Sequence, residues 1–350
     1  MPFETPGPNP RRIAVIGAGI AGLAAAHLLS RQNSVVLFEA ERRLGGHART
    51  VIAGKRGDQP VDTGFIVFNH VNYPHLTRLF AELDVPVAKS DMSFAASFDG
   101  GQFEYALRNL DTLFAQRVNA LRPAYWRFLR DILRFNAQGE AVAATDPAMT
   151  VGELLLRLGT GAWFRDRYIL PFSGAIWSTP TRGILDFPAD AMMRFFRNHA
   201  LLGYHGQHQW WTVRGGSVEY VRRLEASLVR AGVEVRTGAP VAAVRRVPGG
   251  VHVRAAGAEW EAFDEVVLAV HSDQAIAILS DAAPAERAAL AAIRYQPNEA
   301  VLHADPSLMP RRRRAWASWN YCEGRGERPE RIALTYWMNS LQPIPKDDPL

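Results

Sequence analysis

The chain has 350 residues, of which 48% are hydrophobic and 21% charged, with a net charge of +5 and a single cysteine, Cys322. This is the composition of a globular protein with two domains, or one domain with a large insertion. It excludes an internal disulfide and any cysteine-based metal site, which suits a reducing cytoplasm. No stretch has the length and apolarity of a transmembrane helix, and no repeat recurs at solenoid spacing. Residues 1–10, with Pro2, Pro6, Pro8 and Pro10, read as a disordered leader.

Ile13 to Ile16 is a short β-branched run of the kind that becomes a buried parallel strand. Gly17 gives the tight turn out of it, Gly19 lets backbone approach a pyrophosphate, and Gly22 lets the following helix pack against the sheet. That helix, expected from Ile20 and Ala21 to about Ser30, starts with free N–H groups and a positive dipole end, where phosphates bind without a metal. Val35 to Phe38 is the second strand. Glu39 at its end, followed by Ala40, stands where a carboxylate accepts hydrogen bonds from both ribose hydroxyls. Strand before, helix after and acid at the right distance together mark a dinucleotide site.

Arg43-Leu44-Gly45-Gly46-His47 again brings backbone close to a ligand, and Val61-Asp62-Thr63-Gly64 reads as a strand end and turn. From Tyr73 to about Leu202 the apolar spacing turns helical, predicting helices at His75–Leu83, Ala106–Val118, Pro123–Gln138, Val151–Leu158 and Ala189–Leu202. Strand-like residues return at Trp210–Arg214, and a helix follows Gly215-Gly216 to Ala231. An alternating, turn-punctuated region predicts strands at Val233–Val235, Val241–Arg246, Val251–Ala255 and Glu265–Val270. Ala300–His303, Ala315–Trp319 and Ile332–Met338 read as further strands.

Gly17 to Gly46 resembles the extended FAD fingerprint of glutathione-reductase-type proteins: the glycine triplet, Ala26, Leu29, Glu39, and a glycine pair six and seven residues beyond that Glu. Within that group the chain resembles the flavin-containing amine oxidase and phytoene desaturase superfamily. The matching positions are Arg43-Leu44-Gly45-Gly46, Asp62 and Gly64, Gly215-Gly216 with Tyr220 and Leu224, and Asp264 to Ala269. The segments VDTGFIVFN (61–69), LPFSGAIWSTP (170–180), HSDQA (271–275), YQPNEAVLH (295–303), ASWNY (317–321) and TYWMN (335–339) are similar to bacterial FAD proteins associated with cyclopropane and furan fatty-acid biosynthesis.

The resemblance implies an α/β fold: a Rossmann-like FAD-binding domain of parallel sheet and β-meander (11–70 and 205–290), with a largely helical substrate-domain insertion and a mixed β substrate sheet (71–204 and 291–350). It implies that FAD is held by Gly17, Gly19, Ile20, Ala21, Gly22, Glu39, Ala40, Arg43, Gly45, Gly46, His47, Asp62, Thr63 and Gly64, with Val241 at the adenine edge through its backbone. It also implies a later Gly-rich segment covering the flavin ring, which is expected to be absent here. Amine oxidases carry a Lys a few residues after a Tyr-x-Pro-like turn. Counting from Tyr295 that position is Ala300, and no Lys occurs between 90 and 345.

The expected activity is therefore FAD-dependent removal of hydrogens from an apolar, fatty-acyl substrate. The alternatives are an amine oxidase with a Lys-less site and a non-catalytic nucleotide-binding partner protein. Trp177, Trp319 and His47 are the candidate catalytic residues, although core packing is the plainer role for the two tryptophans and a supporting contact for His47. His199, His205 and His208 fit no compact metal-ligand spacing, so no metal is expected. There is no second glycine fingerprint for a nicotinamide, so electrons are expected to leave to oxygen or another acceptor. The basic amphipathic stretch Arg122–Phe135 reads as an insertion helix with its apolar face inward, or as a peripheral contact with the inner face of a membrane. Arg311 to Arg314 reads as a solvated loop or a lipid-headgroup contact; no nucleic-acid partner is expected.

Overall fold

The computed structural model describes residues 10–178, 181–203, 206–326 and 334–348. The leader read at 1–10 lies almost wholly outside the described residues, as do His205 and the start of the strand expected at Ile332. The chain forms two compact units. The first takes the described residues up to Ile66 together with Arg78–Pro86 and Val213–Ala300; the second takes Val67–Thr77, Val87–Thr212 and the described residues from Val301 on. Residues 78–86 thus fall in the first unit, where the sequence reading put them in the second.

In the first unit four strands form a parallel sheet in the order Glu234–Arg236, Ser34–Phe38, Arg12–Ile16, Glu265–Leu268. Its two central strands are buried on both faces, which is why they read as continuous apolar runs and not as alternation. The helix Ile20–Leu29 follows the central strand, and Val218–Arg230 packs beside it, with Ser227 Oγ 3.1 Å from His27 Nδ1. An antiparallel meander, Val241–Val247, Gly250–Ala255 and Glu261–Phe263, shares an apolar cluster with the parallel sheet. A hairpin, Thr50–Ala53 with Gln59–Asp62, completes the strands of this unit.

The second unit is built on a mixed sheet in the order Leu334–Tyr336, Trp319–Cys322, Phe94–Phe98, Phe103–Ala106, in which Trp319–Cys322 runs parallel to Phe94–Phe98. Every residue of Phe94–Phe98 and Phe103–Ala106 is buried, so neither strand shows a two-residue period, and the sequence reading missed both. The helix expected at Ala106–Val118 is instead the strand end at Ala106, a four-residue helix Leu110–Leu113 capped by Asn109, and a 3₁₀ turn Arg117–Leu121. Ala300–His303 forms no strand, and of Ala315–Trp319 the first residue ends a 3₁₀ turn over Arg313–Ala315, the next three are irregular, and only Trp319 belongs to the strand Trp319–Cys322. The helices Pro123–Ala143, Val151–Leu158, Leu170–Trp177 and Ala189–Asn198 cover the sheet through an aromatic core that includes Tyr125, Phe128, Phe135, Phe164 and Phe196.

Two buried polar groups tie this unit together. Pro171 has no N–H to give the carbonyl of Arg167, one turn earlier, and the helix widens to a π turn over Arg165–Ile169. The Tyr105 hydroxyl donates to that carbonyl at 2.5 Å. Glu104 is fully buried, and its carboxylate accepts from Ser97 Oγ (2.9 Å), the Arg311 N–H (2.7 Å), the Arg312 N–H (3.2 Å) and the Arg312 guanidinium (2.8 Å). Arg313 lies over Trp316 and Arg314 is 3.6 Å from Asp111. Within the run Arg311–Arg314, the backbone at Arg311 and Arg312 and the Arg312 guanidinium are thus tied to Glu104, while the side chains of Arg311, Arg313 and Arg314 are exposed. No helix among the described residues is long and apolar enough to cross a membrane.

Tyr105→Phe is expected to destabilise the protein by about 1–3 kcal/mol, the cost of leaving a buried carbonyl unpaired, measured by denaturant unfolding. A change within about 0.3 kcal/mol would contradict this role. Burial, and then the Glu104 charge, pushes the Cys322 thiol up to about 12. Because burial favours the neutral thiol, the thiolate is a trace species at pH 8, and Cys322 is expected to resist iodoacetamide in the native protein while reacting readily once unfolded.

Candidate functional site

The first candidate site lies where the central parallel strand ends. Gly17 has φ +97°, and its N–H donates to the Phe38 carbonyl at 2.8 Å, linking the first turn to the second strand. A Cβ on Gly17 would stand 2.6 Å from the Ala269 carbonyl oxygen, and one on Gly22 only 1.8 Å from the Gly17 carbonyl oxygen. Gly19 is different: nothing lies within 4 Å of its Cβ position, so this glycine borders open space. The helix from Ile20 has no acidic residue in its first turn and no side-chain cap, which leaves its leading N–H groups directed at that space.

The second glycine pair packs onto the first. Gly45 donates to the Ala18 carbonyl at 2.8 Å, and a Cβ on Gly46 would come within 3.0 Å of the Gly19 Cα. The Arg43 guanidinium reaches back to the Gly46 carbonyl (2.9 Å) and to Glu41 (2.9 Å). Glu39, half-buried, accepts from the Ala18 N–H at 2.7 Å and the Glu41 N–H at 2.9 Å, so its carboxylate sits at the rim of the same turn, with Ala40 exposed beside it. Val241 begins the meander, half-buried next to a register shift between Val241 and Ala243.

Asp62 is buried. Its oxygens accept from Thr50 Oγ1 (2.6 Å), Ser217 Oγ (2.7 Å) and the Ser217 N–H (2.8 Å). It acts on the site by fixing the start of the helix Val218–Arg230 to the hairpin, rather than by presenting a carboxylate to a ligand. Thr63 donates its N–H to the Arg49 carbonyl, and Gly64 is pressed against His47, whose carbonyl oxygen would lie 1.9 Å from an added Cβ. His47 is exposed, and its ring stacks on His271 at 5.4 Å. His271 in turn stacks on Tyr295 at 4.2 Å, and the Tyr295 hydroxyl accepts from the Ser272 N–H. Neither His271 nor Tyr295 was among the expected site residues. Both lie more than 200 positions from His47, and no local pattern joins them.

The second candidate site is a cavity of about 840 Å³ wholly within the second unit. Its wall is mostly apolar, with Phe94, Leu107, Leu129, Ile132, Phe172 and Ile176, and includes Trp319. The π turn puts Tyr168 and Phe172 on this wall. Trp177 is not on it. That ring lies in the core against Phe187 and Phe195, each at 5.1 Å. His199 lines the cavity with Nδ1 2.9 Å from the Phe195 carbonyl, whereas His208 contacts the Asn198 carbonyl elsewhere. Among the described residues no group of His, Cys, Asp and Glu side chains is arranged to hold a metal.

Residues 20–304 match the family model described as flavin containing amine oxidoreductase. The chain belongs to that family. Hydroxyneurosporene desaturase of Cereibacter sphaeroides is 30% identical over 272 residues, covering 68% of this chain and 51% of the desaturase, so the chain spans about half the length of that relative. Among solved structures, a putrescine oxidase superimposes with a TM-score of 0.59 at 20% identity, covering 79% of this chain and 61% of that one. A CLA-producing fatty acid isomerase from P. acnes gives 0.53 at 18% identity, covering 80% and 63%. These structural likenesses show the fold.

The family's cofactor is FAD, and the first site fits it. Side chains are excluded where strand, turn and helix must touch, and one glycine is left bare where backbone meets open space. Glu39→Ala is expected to weaken FAD binding by roughly 1.5–3 kcal/mol through loss of a charged acceptor, seen as flavin lost on gel filtration. Unchanged flavin retention would remove Glu39 from the site. Asp62→Ala is expected to lower the melting temperature, because three donors lose their buried acceptor.

Proposed function

We propose that the protein is an FAD-dependent oxidoreductase that removes hydrogens from an apolar, fatty-acyl substrate held in the cavity of the second unit. In this reading the pyrophosphate is held by Gly19 and the N–H groups of Ile20, Ala21 and Gly22, above the turn made by Gly17. Glu39 and Ala40 take the ribose, and Val241 takes the adenine edge. Arg43, Gly45, Gly46, His47, Thr63 and Gly64 continue the wall. When bound, FAD supplies the two-electron acceptor. The chain's own residues position the substrate and keep water from it.

The character of the cavity carries this reading. Among the described residues the one acid in its lining is Asp91, which already accepts from Ser93 Oγ (3.3 Å) and Ser340 Oγ (3.2 Å) and lies 3.7 Å from Arg108. A protonated amine would meet a carboxylate whose charge is already compensated, in a wall that is mostly apolar and whose other charged residue is Arg108. The absence of any Lys between 90 and 345 argues the same way against ordinary amine oxidation. Two similar proteins are named for desaturation and for a fatty acid, in keeping with a hydrocarbon substrate. Trp319, on the cavity wall, is the candidate for substrate contact, and Trp177 has a core role.

The test is mass spectrometry of phospholipids bearing methylated unsaturated acyl chains after aerobic incubation with the flavin-loaded protein. The expected product has lost two hydrogens from the acyl chain, with electrons passing to oxygen or another acceptor. Peroxide released with amines and not with lipids would establish an amine oxidase instead, and retained FAD with neither product would point to a non-catalytic partner protein. Trp319→Ala should lower turnover about tenfold. Trp177→Ala should cost about 3 kcal/mol of stability and leave turnover per folded molecule unchanged.

A further inference from the structure

The rim of the cavity carries an exposed apolar patch. Leu110 is 76% exposed and Leu133 51%, and both also line the cavity. Leu121 is 82% exposed and Trp126 54%. On the helix Pro123–Ala143, Trp126, Leu129 and Leu133 lie along one stripe, a position round from the buried stripe Tyr125, Phe128, Ile132 and Phe135. The core therefore accounts for one apolar stripe of this helix; of the next, Leu129 is half-buried on the cavity wall, and Trp126 and Leu133 are exposed. The Trp126 Nε1 donates to the Ala120 carbonyl at 2.8 Å and its ring packs on Phe114 at 5.7 Å, which holds the indole in place with its polar edge satisfied.

The charge around this patch is one-sided. Between positions 108 and 134 there are six arginines and two acids, Asp111 and Asp131. Asp131 is buried, accepts from the Gly161 N–H at 2.9 Å and lies 3.3 Å from the largely exposed Arg130 guanidinium, while Asp111 pairs with Arg117 and Arg314. Arg127 and Arg130 lie exposed along the helix beside Trp126 and Leu133. A second copy of the chain would bring the same positive face against itself. An anionic surface complements it.

We propose that this face docks on an anionic phospholipid bilayer, with Leu110, Leu121, Trp126 and Leu133 in the acyl boundary and Arg127 and Arg130 at the phosphates. The rim of the cavity then meets the layer in which acyl chains reside. This rests on the reading of the cavity as an acyl-substrate chamber.

The test is co-sedimentation of the flavin-loaded protein with vesicles of phosphatidylglycerol and phosphatidylcholine, against phosphatidylcholine alone. Strong, salt-sensitive binding to the anionic vesicles is expected, weakened about tenfold or more by Arg127→Glu with Arg130→Glu. Brominated acyl chains should quench part of the tryptophan fluorescence, and Trp126→Phe should remove that part. The single exposed change Arg127→Glu, with melting temperature as a control, separates lost binding from lost folding. Equal binding to neutral vesicles, no binding, or binding indifferent to the arginine changes would overturn the proposal. So would a concentration-dependent dimer abolished by Leu133→Glu, which would give the face to a second copy. Vesicle binding without acyl oxidation would retire the substrate reading alone; oxidation of detergent-dispersed lipid without vesicle binding would retire the docking face alone.

Discussion

The approach of backbone to backbone at Gly17, Gly22 and Gly64 is the constraint on which the first unit depends. The Gly17 carbonyl oxygen occupies the space in which any side chain at position 22 would begin, and the His47 carbonyl does the same at Gly64. Because those contacts are that close, the helix Ile20–Leu29 starts directly beneath the strand end, and the Gly45–His47 turn is pressed onto the glycine triplet. Of the glycine triplet, Gly19 is the member whose Cβ position borders open space. Oriented N–H groups and a bare glycine at one point are what an anionic dinucleotide requires. Both follow from where side chains are sterically excluded.

In each unit a buried carboxylate holds separate elements together. Asp62 gathers Thr50 and Ser217, so the hairpin and the helix Val218–Arg230 are fixed to each other through one charged acceptor. In the second unit Glu104 does comparable work, collecting the backbone and guanidinium of Arg312 and the backbone of Arg311 at the sheet edge. Each has several donors, which is the condition under which a buried charge is tolerated. Neither is among the residues that line the cavity, so each holds structure together without contacting a substrate there.

Much of the nucleotide end could be read from residues alone, since Gly17, Gly19, Gly22 and Glu39 act through short-range geometry that spacing records. Asp62 was identified as a site residue, but its partners are 12 and 155 positions away, and only the folded chain reveals that it points inward. Phe94–Phe98 and Phe103–Ala106 were missed because strands buried on both faces lose their period. The stack of His47, His271 and Tyr295 is assembled by tertiary structure. The cavity could not be foreseen either, since its wall combines residues from Val67 to Trp319, and the difference between Trp319 on that wall and Trp177 in the core has no counterpart in sequence.

A glycine-built nucleotide turn in one unit and an apolar chamber in the other lead to a single claim, that FAD bound by this chain accepts electrons from an acyl substrate. The most direct measurement is the visible flavin absorption of the purified protein under anaerobic conditions, before and after adding phospholipid with methylated unsaturated acyl chains. The account predicts a flavin spectrum that bleaches with the lipid and stays unchanged with amines or with reduced nicotinamides. A flavin spectrum that bleaches promptly with an amine or with a reduced nicotinamide, and not with lipid, would contradict it.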